Sequence, residues 1–172
     1  MRSRDLIFGK PGLSAREQHK VDDANQVLAI YARLLQIAIA ERVPWITENP
    51  QSSLLWHVPC IKILFDHPSI HSTVLHQCQF GTPYRKATLL LHHRIHNSDR
   101  LFRVCKPLGP RNLCSRSGCP HHHLSGSFQG KPQMARAAAF PDQLCSALAK
   151  TMIDSSFVEN LGKKLETVFL LS

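Results

Sequence analysis

The clearest pattern in the chain is a helical repeat of apolar residues that follows residue 14. Apolar side chains recur at alternating steps of three and four, which places them on one face of a helix of roughly seven turns that ends near Arg42. This face contains Val21, Ala24, Leu28, Tyr31, Leu35 and Ala38. Ser14 and Glu17 have the spacing of a capping box, in which each side chain binds the other residue's backbone N–H. The sequence therefore predicts one long amphipathic helix.

Three shorter segments have the composition of strands. Residues 45–47 are apolar and follow Pro44, which ends the helix, so we expect a short buried strand there. A helix followed by a strand is the second half of a βαβ unit, which needs a parallel strand before the helix. Only residues 6–8 are available to form that strand. Residues 72–80 and 87–92 are rich in β-favouring side chains. The turn between them is too short for a parallel crossover, so they should pair antiparallel.

Regular patterns weaken after residue 93. Gly, Pro, Ser, Arg and His dominate residues 94–137. Before the last two strands, residues 53–65 have the pattern of a broken helical stretch. A helix should begin at Phe140-Pro141, and residues 158–171 form a weaker amphipathic segment. We therefore expect three parts: an α/β core (1–93), a basic loop region that contains Cys and His (94–137), and a helical segment (138–172).

Composition narrows the class of protein and its partners. The 172 residues, of which 43% are hydrophobic, are enough for one domain with a core. The net charge of +9 and the pI near 9.6 favour a polyanionic partner, most commonly nucleic acid, although a solvated basic surface is an equally good explanation. Six cysteines without a disulfide framework and a polar start predict an intracellular protein, with the nucleus as one candidate compartment.

A polar pair at the end of the first predicted strand is the main candidate for chemistry. Glu48 and Asn49 follow residues 45–47 directly, and open α/β sheets place their sites at the carboxyl ends of strands. Farther on, Arg85 and Lys86 stand in a turn between the last two predicted strands. A carboxyl group, an amide and two cations are a set that can hold a nucleobase and its phosphate.

The order of these motifs resembles the C-terminal part of the catalytic domain of C5-cytosine DNA methyltransferases. The resemblance is closer still to methyltransferase-like segments of retroelement-type polyproteins. Two signatures carry it: Glu48-Asn49-Pro50-x-x-Ser53-x-x-Trp56, and Cys78-x-Phe80-Gly81-x-x-x-Arg85-Lys86-x-Thr88. Pro50 stands where the methyltransferases have Val, and the second Arg of their later motif is absent. The resemblance implies an incomplete Rossmann-like domain that ends in an antiparallel hairpin.

The resemblance also implies roles for these residues. In that family a cysteine adds to a flipped cytosine, and the methyl group of S-adenosylmethionine is transferred to C5. Glu48 would protonate N3 of the base, Asn49 would position it, and Arg85 with Lys86 would contact the base or the DNA backbone. Neither the cofactor loop nor the catalytic cysteine is found where the family has it. The Gly9–Gly12 turn and Cys60 are decoys, better explained as a helix lead-in and a small apolar residue.

We therefore expect a fragment that is inactive alone and that needs the missing N-terminal half of the same polyprotein. The alternative is a non-catalytic basic module of a mobile-element polyprotein that binds DNA or RNA, and a third is a product with no selected activity. Arg103 and Arg111 are the loop cations most suited to track a phosphate backbone. Whether the chain is an enzyme stays open from its sequence.

One further group of residues has metal-binding chemistry. Thiolate and imidazole are the ligands that zinc prefers, and the basic loop contains Cys105, Cys114, Cys119 and His121. Their intervals fit no standard zinc finger or knuckle, so a flexible basic loop without metal is the competing explanation. The sequence predicts zinc at these four positions or no metal at all.

Overall fold

A computed structural model describes residues 1–124, 127–128, 131–132, 137 and 139–170 of the chain. Its first helix, α1, spans Ala15–Ala40 and confirms the long helix predicted from the apolar repeat. The predicted capping box is confirmed as well, because Ser14 Oγ accepts from Glu17 N–H and the Glu17 carboxylate accepts from Ser14 N–H. Helix α1 thus begins and ends close to where local sequence signals place it.

Three antiparallel strands form the main sheet. They are β1 (Trp45–Pro50), β2 (Ile70–His76) and β3 (Ala87–His93), and β3 lies in the middle. The antiparallel pairing of β2 with β3 is confirmed, although β2 ends at His76 because Gln77–Phe80 turns into a 3₁₀ helix. The βαβ expectation is wrong: β1 pairs antiparallel with β3, and residues 6–8 form a turn. The described residues show mixed helices and strands, without a Rossmann sheet.

Both faces of this sheet are covered. Successive side chains of a strand point to opposite faces, so Leu89 and Leu91 of β3 pack in one core and Leu90 packs in the other. The first core lies under α1, where Leu28 and Leu35 are buried. The second core lies under the C-terminal helix. Burial on both faces explains why β3 is a continuous apolar run.

Short helices connect the strands. The residues after β1 form a 3₁₀ turn (Leu54–His57), α2 (Pro59–Lys62) and a second 3₁₀ turn (Ile63–Asp66), which confirms the broken helical stretch. Two further strands of two residues each, β4 (Ser127–Phe128) and β5 (Lys131–Pro132), pair antiparallel.

The chain ends in one long helix. Helix α3 spans Asp142–Leu170, where the sequence predicted a helix and a separate weaker segment. Its buried Leu144 packs with Leu75, Leu90 and Phe80 in the second core, so α3 belongs to the same packed body as the sheet. Leu171 lies outside the described residues, and of residues 161–170 only the backbone is described, so the predicted apolar face there is not tested.

A buried histidine in β3 should make the protein sensitive to acid. The His92 side chain is 1% exposed, and its Nε2 lies 3.0 Å from Thr73 Oγ1. Burial, with a smaller contribution from the charge of His71, lowers the pKa of His92 to about 4 from its ordinary 6.5. The folded state therefore resists protonation, and stability should fall as the pH drops from 6.5 towards 4. In pH-dependent urea unfolding, His92→Gln should reduce this fall by an amount on the order of 3 kcal/mol.

The exposed His57 provides the matched control. His57→Gln should leave the pH profile of stability unchanged. An equal effect of the two substitutions would show that burial of His92 does not determine the acid sensitivity.

Candidate metal centre

Three cysteines and one histidine come together at the end of β2. Their donor atoms, in Cys78, Cys105, Cys114 and His121, all lie within 4.8 Å of one another. Cys105 Sγ is 4.0 Å from Cys114 Sγ and 3.6 Å from His121 Nε2. Ligands on a tetrahedral zinc ion are separated by roughly 3.5–4 Å, given Zn–S and Zn–N bonds of about 2.3 and 2.0 Å. The four side chains therefore have the chemistry and the spacing of a Cys₃His metal site.

Local backbone structure positions the three cysteine donors. Cys78 lies in the 3₁₀ turn after β2, which Gly81 ends in the left-handed region at φ 101°. Cys105 is fixed by its N–H, which donates to His76 Nδ1 at 3.0 Å. Cys114 follows a tight turn closed by a bridge between Leu108 and Leu113. The cluster joins the sheet to a segment that has little regular structure of its own.

Electrostatics within the cluster favour a bound cation. Burial acts to raise the pKa of the Cys114 thiol, but hydrogen bonds from the Ser117 and Arg116 backbones outweigh it and lower that pKa to about 6. Burial raises the pKa of the neighbouring Cys78 thiol to about 12. Within the cluster, Cys114 thus ionises more readily than Cys78. A divalent cation would allow Cys78 to ionise as well, because coordinating thiols lose their protons.

The structure corrects one member of the sequence-predicted metal set. Cys119 is exposed and lies outside the cluster, while Cys78 provides the fourth donor. Cys119 supports the turn instead, because its carbonyl accepts from Cys114 N–H at 2.8 Å. Sequence reasoning missed Cys78 because it searched for ligands within one loop. The only available signal was the position of Cys78 at the end of a predicted strand.

Two of the predicted phosphate-contacting cations, Arg103 and Arg111, lie on the segment that carries Cys105 and Cys114. Arg103 is exposed, with its guanidinium 5.0 Å above the ring of the buried Phe80. Arg111 is exposed in the tight turn before Cys114. Arg100 forms an ion pair of 2.6 Å with Asp154 of α3, so its charge is largely compensated. Among the described residues neither Arg103 nor Arg111 has an acidic partner, so their charge faces solvent.

Glu48 and Asn49 lie within β1 rather than after it. Both line a cavity of about 620 Å³ between β1, α1 and the Leu54–His57 turn. Burial raises the pKa of Glu48 above its ordinary 4.5, while the positive charge of Lys86 partly opposes this shift. The environment of this carboxyl group therefore favours its protonated form more than water does.

Arg85 and Lys86 line a second cavity, of about 610 Å³. Arg85 Nε donates to His76 Nδ1 at 3.2 Å, next to the bond from Cys105 N–H, so this arginine supports the metal cluster. Lys86 Nζ donates to the carbonyl of Ala137 at 3.0 Å. Of the two cations, Lys86 is the electrostatic neighbour of Glu48. Glu48 and Arg85 thus line different cavities.

The raised pKa of Glu48 should be visible as a stability effect. The folded-state pKa lies above 4.5, so the contribution of Glu48 to stability should be most favourable below pH 4.5 and should decline as the pH rises through the folded-state pKa. Glu48→Gln should therefore raise the free energy of unfolding at pH 7 and leave it unchanged at pH 4, as measured by urea titration. Glu17 offers a contrast, because hydrogen bonds to Ser14 lower its pKa. A stabilisation at pH 7 by Glu17→Gln as well would contradict this assignment.

Three comparisons of the whole chain with known proteins add no further constraint. No known protein-family model, curated protein or solved structure matches it. Over the residues that the structure describes, none of the helices combines the length and the apolar character needed to cross a membrane.

Proposed function

We propose that the chain is a zinc-stabilised module that binds nucleic acid through the basic segment attached to its metal centre. The observation that carries this proposal is the convergence of four donor atoms within 4.8 Å. Four protein ligands fill a tetrahedral zinc site and leave no position for substrate, which is the arrangement of a structural site. Zinc would therefore hold the fold together and take no part in a reaction.

The attached segment has the charge that such a partner requires. Residues 94–124 contain six Lys and Arg side chains and one Asp, a net charge of +5 within a chain of +9. Cys105, Cys114 and His121 belong to this segment and Cys78 to the 3₁₀ turn that follows β2, so the metal would fix the cations in place. Pre-positioned cations bind phosphates with less loss of conformational entropy than a free loop does.

Nucleic-acid affinity with and without zinc tests this function. The zinc-loaded protein should bind a 20-base-pair duplex with a log–log salt slope of about −3 to −5, and Arg103→Ala should reduce the slope by about one. Cys78→Ser should lose zinc and weaken binding at low salt, whereas Cys119→Ser should retain both properties. Parallel titrations with single-stranded DNA and with RNA identify the preferred nucleic acid.

Either of two results would refute this function. The first is a Cys78→Ser protein that still carries one zinc per chain. The second is a zinc-loaded wild-type protein that binds neither DNA nor RNA at 50 mM salt.

The raised pKa of Glu48 favours a second candidate function. The chain would then be the target-base half of an S-adenosylmethionine-dependent DNA (cytosine-5) methyltransferase-like protein, as its motifs imply. Glu48 would protonate the base, Asn49 would position it, and Lys86 would adjust the charge of the site. A partner polypeptide would supply the cofactor loop and the nucleophilic cysteine.

A reconstituted methyl-transfer assay tests this candidate. With an N-terminal half that contains a glycine-rich cofactor loop and a Pro-Cys pair, transfer to duplex DNA should fall at least about 100-fold in Glu48→Gln, the usual size of an acid–base contribution. Equal transfer by both proteins would remove the role assigned to Glu48.

A further inference from the structure

The outer edge of β1 has backbone groups that the described fold does not use. Gln51 N–H donates to Ala87 O at 3.0 Å, so the backbone of Gln51 faces β3. Because the backbone groups of successive residues in an antiparallel strand point in opposite directions, every second residue before Gln51 also faces β3. The intervening residues Ile46 and Glu48 direct their N–H and C=O groups away from the sheet. Among the described residues these four groups have no hydrogen-bond partner. This edge can accept another strand.

The two edges of the sheet differ in this respect. On the far edge, His76 N–H donates to Arg103 O at 2.9 Å, so β2 is partly covered by the basic segment. On the β1 edge, the next outward residue is Pro50, which has no N–H, and its carbonyl already accepts from Trp56 Nε1 at 2.8 Å. Proline confined to an outward position is typical of an edge strand. Pairing on the β1 edge would therefore be limited to Ile46 and Glu48.

A cavity of about 620 Å³ opens beside the same two residues. Residues 46–49 are consecutive and all line it, so the cavity runs along this part of β1. Its other walls include Val27 and Leu28 of α1 and Leu54 of the following turn, so they are mainly apolar. The exposed apolar stripe of α1, which contains Val27, Ile30 and Leu34, continues from this wall.

We propose that an extended segment of a partner protein adds to β1 as a fourth strand, with an apolar side chain in this cavity and a basic side chain beside Glu48. Thr47 is buried and hydrogen-bonded to Tyr31 of α1, so the position opposite Thr47 on an added strand faces the apolar cavity. The position opposite Glu48 faces the other side of the sheet.

Charge complementarity selects the basic side chain. Glu48 Oε1 is buried and has no hydrogen-bond partner among the described residues. A lysine or arginine on the added strand would satisfy this oxygen. The partner is thus an alternating apolar and basic strand, and its parent protein would cover the stripe on α1. This surface does not involve the metal centre.

A designed peptide pair tests the proposal. The probe is an acetylated eight-residue peptide that alternates valine with lysine, and the control alternates valine with glutamate. The lysine peptide should bind at least about tenfold more tightly, although the protein itself is cationic. In hydrogen exchange followed by NMR, the amides of Ile46 and Glu48 should become protected when this peptide binds.

Substitutions at equally exposed positions provide the matched control. Val27 is 66% exposed and lines the cavity, and Ile153 is 67% exposed on α3. Val27→Lys should weaken binding of the lysine peptide at least about tenfold, and Ile153→Lys less than about twofold. Glu48→Gln should abolish the preference for lysine over glutamate.

Three results would overturn the proposal. The first is equal affinity for the two peptides, and the second is binding without protection of Ile46 and Glu48. The third is protection of these amides in the free protein that increases with protein concentration, because a second copy of this chain would then occupy the edge.

Discussion

Removal of zinc should lower the thermal unfolding midpoint of this protein by about 10 °C or more. A structural Cys₃His site contributes several kcal/mol to folding, and each 1 kcal/mol shifts the midpoint by about 2–4 °C in a domain of this size. The effect should be large because Cys78, Cys105 and Cys114 form a small buried cluster of their own, separate from the two apolar cores. Calorimetry with and without a chelator measures the shift.

Substitution of a cysteine outside the cluster and of one inside it provides the controls for this experiment. Cys119→Ser should show the same loss on chelation as the wild-type protein, because this residue is exposed and outside the cluster. Cys78→Ser should already have the lower midpoint and should not respond to the chelator. An unchanged midpoint in the chelated wild-type protein would mean that the cluster is not a structural metal site.

The second large effect is expected at the contact between α3 and the sheet. Leu144 is 0% exposed and packs against Leu75 and Leu90. Leu144→Ala should therefore lower the free energy of unfolding by about 2–5 kcal/mol, since it leaves a cavity in the second core. Urea titration at pH 7 measures the change.

Ile153 lies on the same helix but is 67% exposed. Ile153→Ala should change the free energy of unfolding by less than about 0.5 kcal/mol. Similar losses for the two substitutions would show that α3 does not pack on the sheet through Leu144.

Local signals predicted the local structure well. The boundaries of α1 follow from a capping box and an apolar repeat, both of which act over a few residues. The antiparallel pairing of β2 and β3 follows from the short connection between them. Burial of β3 on both faces leaves a continuous apolar run that is readable in the sequence.

Non-local contacts account for what the sequence did not predict. β1 continues through Pro50 because it pairs with β3, and this pairing places Glu48 inside a strand. Cys78 joins the cluster because the distant segment that contains the other three donors folds onto the end of β2. The spacing of cysteines within that segment does not predict this contact. The sequence grouped Arg85 with Glu48 as candidates for one nucleobase site, but Arg85 donates a hydrogen bond to His76 and lines a different cavity. These three positions depend on tertiary structure rather than on local pattern.

Zinc-edge X-ray absorption of the purified protein tests the central proposal most directly. The proposed centre predicts one zinc per chain with three sulfur ligands at about 2.3 Å and one nitrogen ligand at about 2.0 Å. The spectrum of Cys119→Ser should be identical, and that of Cys78→Ser should lose a sulfur ligand or the metal altogether. A zinc ion ligated by four sulfurs, or a protein that binds no zinc after refolding with the metal, would contradict the Cys78–Cys105–Cys114–His121 site.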